Sequence, residues 1–366
     1  MHEGGDDRPR VTTDEAIRTG RAPAMVGPST GSGVPDGDVA NAAPPSSSVP
    51  GPAAEPGRPV PLPDGWVRAE LAAMSACGPV RDGNEDRVGW AVLGARESAR
   101  SPRPDAGVLR MELRGPGIAV LVADGLGGHS HGERASRTAI RIVLERLVAP
   151  GAVGRAADTL RGGFEEANTA LLDGTLDDEP LADWTADEPA TAPTGRARGG
   201  QTTLTALAIT RRASSLAHVG DCRLFRLRDD ALEQLTNDHT QAMELLRMRL
   251  IRPEQAARHP GRHLLTRSIG GDIVLRVEAR SGEPAAGDAY LLCSDGLWSA
   301  VTSGEVRAAF EGDLAEGIAR LVALSAERGG DDNASVIGMR LLELGAAVDA
   351  APRVGLRLPW RRGAGA

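Results

Sequence analysis

Four times in this 366-residue sequence a short apolar run ends on, or sets out from, an aspartate. Residues 118–123 (IAVLVA) run into Asp124-Gly125, and 289–294 run into Asp295-Gly296. Residues 215–219 are followed by Gly220-Asp221, and Asp332-Asn333 stands just before 334–341. Runs this short, bounded by Gly, Asp and Asn, read as strands, as does 203–210. Two stretches have helical period instead. Residues 133–148 put Ala135, Ala139, Ile142, Val143 and Leu147 on one face. A second helix runs from Asp313, placed as its N-cap, to Arg328, with Gly329-Gly330 as the stop and Leu314, Ile318, Leu321 and Val322 inward. Strands come both in series and separated by helices, so the expected class is α+β.

Any one of these aspartates is explained by turn chemistry, since Asp-Gly is a common turn pair. Four together point elsewhere, because the strands of a sheet bring distant positions to a common end. A carboxylate at the edge of a buried strand is costly unless a cation or donors compensate it. Oxygen ligands without Cys or paired His suit a hard cation, Mg²⁺ or Mn²⁺. Gly125 would leave its carbonyl open to such an ion. The stretch GPVRDGNEDR (78–87) adds a positive partner, Arg81, four and five residues before Glu85 and Asp86. An arginine fork matches phosphate oxygens and stays charged at any relevant pH. Alone Arg81 could form a surface ion pair; with the carboxylates it is the minimal equipment for hydrolysing a phosphate ester.

Composition removes other readings. The 42 basic residues are all Arg, and 50 acids give a net charge of −8. Without Lys there is no P-loop and no Schiff-base lysine, and an acidic chain is not a general nucleic-acid binder. The three cysteines, Cys77, Cys222 and Cys293, are far apart and read as small buried hydrophobes rather than a disulfide framework or zinc site. The acidic N-terminus does not resemble a signal peptide and no apolar run is long enough to span a bilayer, so the expectation is a cytoplasmic chain without stable membrane insertion. Residues 1–65 hold 22 of the 71 Gly and Pro residues and no aromatic, and read as a disordered arm. Residues 66–343 are the folded domain, and 344–366 a flexible tail carrying Arg353, Arg357, Arg361 and Arg362. Seven acids in 173–188 suggest an exposed insertion loop.

The segment 78–341 resembles the PP2C-type (PPM) metal-dependent Ser/Thr protein phosphatases in their bacterial form. The matching stretches are GPVRDGNEDR (78–87), VADGLGGHSHGERAS (122–136), GQTTLTALAI (200–209) and AHVGDCRLFRL (217–227). LTNDHT (235–240), LLTRSIGG (264–271), YLLCSDGLW (290–298) and GGDDNASV (329–336) follow in the family's order. The resemblance implies a four-layer αββα sandwich, two stacked antiparallel β-sheets flanked by helices, with a binuclear metal centre at one end. In that pattern Asp124 bridges two Mn²⁺ or Mg²⁺ ions and Gly125 gives its carbonyl oxygen. Asp295 and Asp332 complete the first ion, Glu85 lies on the second ion's side, and Asp86 holds water there or serves as an occasional ligand. Asp221, with Asp295, can hold a third, weaker ion, and Arg81 binds the phosphate.

The implied activity is hydrolysis of phosphoserine and phosphothreonine on proteins by a hydroxide bridging the two cations. The implied partners are bacterial Ser/Thr kinases of the eukaryotic-like type and their substrates, met by a monomer. Two other functions are weighed beside it: a regulator-specific phosphatase of the anti-anti-sigma type, and a non-catalytic phosphoprotein-binding pseudophosphatase. Leu126 stands where eukaryotic members carry a histidine general acid, which leaves the proton donor unassigned, and neither His129 nor His131 is given that role. Cys222 replaces a more usual Ser. Residues 240–263 match a mobile flap, and their Arg247, Arg249, Arg252, Arg258 and Arg262 would favour acidic or phosphorylated substrates, or simply form a solvated face.

Overall fold

The register between antiparallel strands decides where the aspartates end up. In the computed structural model, which describes residues 65–127, 130–175, 184–185 and 200–345, two sheets lie face to face. The first holds six strands: β1 (Trp66–Ala76), β4 (Leu109–Gly115), β11 (Arg223–Arg228), β12 (Ala231–Gln234), β14 (Ala289–Cys293) and β15 (Ala334–Gly345), in the order β12-β11-β14-β15-β1-β4. The second holds seven: β2 (Arg87–Val92), β3 (Arg100–Ser101), β5 (Gly117–Ala123), β7 (Trp184–Thr185), β9 (Leu204–Thr210), β10 (Ser214–Val219) and β13 (Glu278–Gly282), in the order β13-β10-β9-β5-β2-β3-β7. A short ribbon pairs β6 (Gly125–Leu126) with β8 (Gln201–Thr202).

Burial along β1 largely follows the period of two that strands impose, whereas β2, β5 and β14 are buried at every position because helices cover their outer faces. Val67, Ala69, Leu71 and Ala73 of β1 pack with Val88, Trp90, Ile118, Val120, Leu207 and Ile337 in a core between the sheets. Helices α1 (Ser130–Leu147) and α2 (Ala156–Leu172) cover the outer face of the second sheet through Ile140, Leu144, Leu160 and Phe164. On the other side α5 (Asp295–Trp298), α6 (Ser303–Ala308) and α7 (Leu314–Glu327) cover the first sheet. The four-layer α+β sandwich is therefore the observed architecture. All the named inward residues of the two expected helices are buried. Asp313 caps α7 by accepting from the Ala315 and Glu316 N–H groups at 2.8 and 3.1 Å, and Gly329 ends it with φ +73°.

Register then gathers the strand ends. Arg87, first of β2, pairs with Ala123, last of β5, so Asp86 and Asp124 leave the second sheet side by side. Val219 pairs with Leu204, which brings Gly220-Asp221 to the same end. In the first sheet Cys293 pairs with both Arg223 and Val336, while Ala334 pairs with Ala76. Asp295 and Asp332 therefore emerge beside Asp221. Helices α3 (Gln241–Arg247) and α4 (Pro253–Ala256), with a 3-10 turn at Pro260–His263, occupy the expected flap.

The last strand runs to Gly345, paired with Trp66. The rest of the expected tail and the arm short of Gly65 lie outside the described residues, as do His129 and most of 173–188; within the latter, Trp184–Thr185 pairs with Arg100–Ser101 at the sheet edge. Among the described residues no helix is long and apolar enough to cross a membrane. All three cysteines are free thiols, and burial pushes Cys222 upward and Cys293 up to about 12.

Candidate active site

Main-chain hydrogen bonds fix the acidic end and leave the carboxylates to face one another. Asp124 N–H donates to the Thr203 hydroxyl at 2.9 Å, and its carbonyl accepts from Thr203 N–H and the Thr202 hydroxyl, each at 2.8 Å. The Glu85 carbonyl accepts from Gly125 N–H at 3.2 Å and the Ser136 hydroxyl at 2.6 Å. Glu85 N–H donates to Asn333 Oδ1 at 2.9 Å, which ties the second sheet's motif to Asp332 at the edge of the first. Two glycines are required by this crowding. A Cβ on Gly125 would lie 2.1 Å from the Gly132 carbonyl oxygen, and one on Gly296 would lie 2.2 Å from that of Asn333.

Arg81 reaches across the mouth of this cluster. Its Nη2 donates to Asp332 Oδ2 at 2.7 Å and its Nε to the Asp331 carbonyl at 3.3 Å, with both side chains about half-exposed. Asp86 is buried and accepts from the Ser294 hydroxyl at 2.6 Å. Asp295 opens α5, and its Oδ1 is buried with no hydrogen-bond partner.

The electrostatics show how closely these groups crowd. Burial, reinforced by Asp295 and Asp332, pushes Asp86 up to about 8 against the Ser294 and Ser335 hydroxyls. Asp124 is driven well above the carboxylate range by burial, then by Asp86, Asp295, Asp221 and Asp332. Asp221 is raised by burial, then by Asp295 and Asp238. Like charges at such positions need a cation or a proton. The donor set, all oxygen and including the orphaned Asp295 Oδ1, fits Mg²⁺ or Mn²⁺. Asp86, Asp124, Asp221, Asp295 and Asp332 thus lie close enough to shift one another, Arg81 is seated on Asp332, and Glu85 joins Gly125 and Asn333 through its main chain.

Several neighbours were not legible beforehand. Trp298 Nε1 donates to the Asp221 carbonyl at 2.9 Å, and the Arg223 guanidinium lies 3.5 Å over the Trp298 ring. Arg223 in turn forks onto Asp238, with Nη2 to Oδ2 at 2.7 Å. His263 of the flap stacks on Trp298 and stands 3.5 Å from Asp295 Oδ2. Ser294 and Trp298 lie inside YLLCSDGLW and Arg223 inside AHVGDCRLFRL, so membership of a quoted stretch was the available signal, without any assigned role. Ligand atoms of His218, His239 and Glu278 lie within 4.8 Å of one another. This trio is not a cation site: both His218 nitrogens are engaged, by Thr205 Oγ1 at 2.8 Å and the Asn237 carbonyl at 3.1 Å, and Arg267 Nη1 stands 3.3 Å from His239 Nε2.

The family model for Protein phosphatase 2C matches residues 95–329. The chain belongs to the protein phosphatase 2C family. The match includes Asp124, Asp221 and Asp295, while Arg81, Glu85, Asp86 and Asp332 lie outside it and join the site through the contacts above. This PP2C chain is 33% identical over 267 residues to the serine/threonine protein phosphatase PstP of Mycobacterium tuberculosis, a stretch that is 73% of this chain and 44% of PstP. It thus spans less than half of that relative's length. It is 30% identical over 223 residues to the serine/threonine phosphatase stp of Listeria innocua, covering 60% of this chain and 82% of that protein. Among solved structures, the catalytic domain of PstP in complex with two manganese ions superposes with a TM-score of 0.54 at 28% identity, covering 76% of this chain and all of that one.

Proposed function

We propose that this PP2C chain is a metal-dependent phosphatase that hydrolyses phosphoserine and phosphothreonine on proteins. The observation that carries this is the convergence of carboxylates from separate strand ends on one site, with the Arg81 guanidinium already seated on Asp332. The relatives named as serine/threonine phosphatases and the PstP domain with two manganese ions support it. We read Asp124 as the shared ligand of two Mn²⁺ or Mg²⁺ ions, assisted by the Gly125 carbonyl, Asp295, Asp332 and Glu85. Asp86 would hold water beside the ions, and Asp221 with Asp295 would offer a third, weaker position. When bound, such a pair of ions supplies Lewis acidity and a water ionised near neutral pH.

The chain's own residues do the rest. Arg81 uses Nη2 and Nε on Asp332 and the Asp331 carbonyl, so Nη1 on a half-exposed side chain is left for a phosphoryl oxygen. As charge grows on the equatorial oxygens, the Nη1 donor and the positive charge of the guanidinium oppose it. All five flap arginines are exposed, in keeping with phosphorylated or acidic substrates. We place the protein in the cytoplasm as a monomer acting on targets of bacterial Ser/Thr kinases. None of the expected acidic positions is replaced, which speaks against the non-catalytic binding module, and relatives named as serine/threonine phosphatases favour the general activity over the regulator-specific one.

The test is Mn²⁺-dependent phosphate release from a phosphothreonine peptide. Asp295→Asn and Arg81→Ala should each lose on the order of 10²-fold in kcat, the scale of removing one preorganised charge-stabilising group. Equal turnover by wild type and Asp295→Asn would remove the assigned site. A wild type inert with metal present would favour the binding module.

A further inference from the structure

Between the metal-site turn and the flap lies a buried stack of polar side chains that the proposed reaction leaves unused. His239, 1% exposed, follows β12 and leads into Thr240, whose hydroxyl caps α3 of the flap by accepting from Met243 N–H at 3.4 Å. It faces Gly220, the residue before Asp221, through two reciprocal hydrogen bonds. Gly220 N–H donates to His239 Nδ1 at 3.1 Å, and His239 N–H donates to the Gly220 carbonyl at 2.7 Å. Gly220 has φ +110°, and a Cβ there would lie 2.5 Å from Thr203, so this turn has a single tightly held shape. From its other side the His239 carbonyl accepts from Thr266 N–H at 2.8 Å, and Thr240 bridges to Leu265. Both roots of the flap therefore meet at His239.

The ring itself is held from behind. It stacks on His218 at 4.8 Å between centroids, and its Nε2 faces Glu278 Oε2 at 3.5 Å and Arg267 Nη1 at 3.3 Å. With Nδ1 accepting from Gly220, a neutral ring carries its proton on Nε2, where Glu278 can accept it. The Arg267 guanidinium is then a neighbouring charge and not a donor to that nitrogen. This is how a ligand-bearing turn is aimed by a residue that does not itself touch the ion. We propose that His239 is a positioning residue that couples the flap to the Asp221 carboxylate, so that displacing the flap roots alters how Asp221 is presented to a cation. The inference rests on reading Asp221 as a metal ligand.

Three substitutions separate the acceptor at Nδ1 from simple packing. Asparagine can place an amide oxygen near the Nδ1 position, glutamine places its oxygen near Nε2, and alanine supplies neither. Manganese binding to the full chain, followed by calorimetry and by the spin-resonance signal of free Mn²⁺, reads the sites without turnover. His239→Ala and His239→Gln should weaken the weakest site on the order of 10-fold or more, the usual scale for an outer partner of a ligand. His239→Asn should stay near wild type. Hydrogen exchange of the 241–264 amides should rise in the first two variants and not in the third. Asp221→Asn serves as the reference and should abolish the weakest site. If it does not, the reading of Asp221 falls and the coupling with it. If Asp221→Asn acts as expected but the three His239 variants behave alike, or bind as wild type, the coupling alone is overturned.

Discussion

Asp288 and Asp295 flank the same strand, β14, and show what burial does to an aspartate with and without a full set of partners. Asp288 has no exposed side-chain surface, yet Arg228 forks onto it at 2.5 and 2.6 Å. Ala285 N–H and the Tyr290 hydroxyl donate to it as well, at 2.8 and 3.0 Å. Burial alone would raise this carboxyl, but the guanidinium and the donors outweigh it and hold it below the carboxylate range. At the other end of the strand Asp295 keeps a buried oxygen with no partner. The first aspartate is spent on structure; the second leaves an oxygen open, as the proposed ligand role requires. Asp288→Asn should therefore cost about 2–3 kcal/mol at pH 7, at or below the low end for breaking a buried pair because Arg228 still reaches solvent. The sign with pH follows from a depressed folded value. The advantage is present in full above the unfolded value of about 3.9 and is lost as pH falls toward and through the folded one. Urea midpoints of wild type and variant should keep a constant gap from pH 7 to about 5, then converge below about 4. A gap that persists in acid would mean the pair contributes packing rather than charge.

Among the elements, α7 and α2, two of the three long helices that border the sheets, differ in how visible they are in sequence, and the reason lies in their ends and crossings. Asp313 caps α7 on two N–H groups and also pairs with Arg110, so Asp313→Ala should cost about 1 kcal/mol in urea unfolding with turnover unchanged. A fall in turnover would mean that this end of α7 transmits to the Gly296 carbonyl, which Ser325 holds at 2.8 Å near the helix's other end. The same cap, with Gly329, made α7 readable. Helix α2 was not expected, although Leu160, Phe164, Ala167 and Leu171 are buried at helical spacing. Arg155 stands at its N-cap without a side-chain bond, and Gly162-Gly163 interrupt it. Those glycines are weak helix formers, yet they sit where α1 crosses: a Cβ on Gly163 would be 3.1 Å from Val143. Tertiary packing there overrides propensity. The site was more legible than the helices because its residues lie at strand ends, where composition changes abruptly. The Trp298–Arg223–Asp238 chain was not, since cation–π and ion-pair partners have no fixed spacing.

At the scale of the molecule, an acidic chain of net charge −8 concentrates three upward-shifted carboxylates at one end of the sandwich. Asp86, at about 8, is raised above its unfolded value, and Asp124 and Asp221 share the direction. A raised carboxylate means that the folded state binds a proton which the unfolded chain has already released. Stability without divalent cation must then fall as pH rises from about 4 through the folded values. A cation replaces those protons, so its binding competes with them and releases them. Chelator-treated protein should melt at a lower temperature at pH 8 than at pH 5.5. Mn²⁺ at about 100 times its dissociation constant should contribute about 2.7 kcal/mol. For a domain of this size that is a rise of roughly 5–10 °C at pH 8, and a smaller one at pH 5.5 where protons already neutralise the cluster. Differential scanning calorimetry at the two pH values, with and without chelator, measures both shifts. Equal Mn²⁺ shifts at both would mean that the carboxylates are ionised throughout. The fold would then tolerate their mutual repulsion unaided, and the cation would act in catalysis without holding the acidic end together.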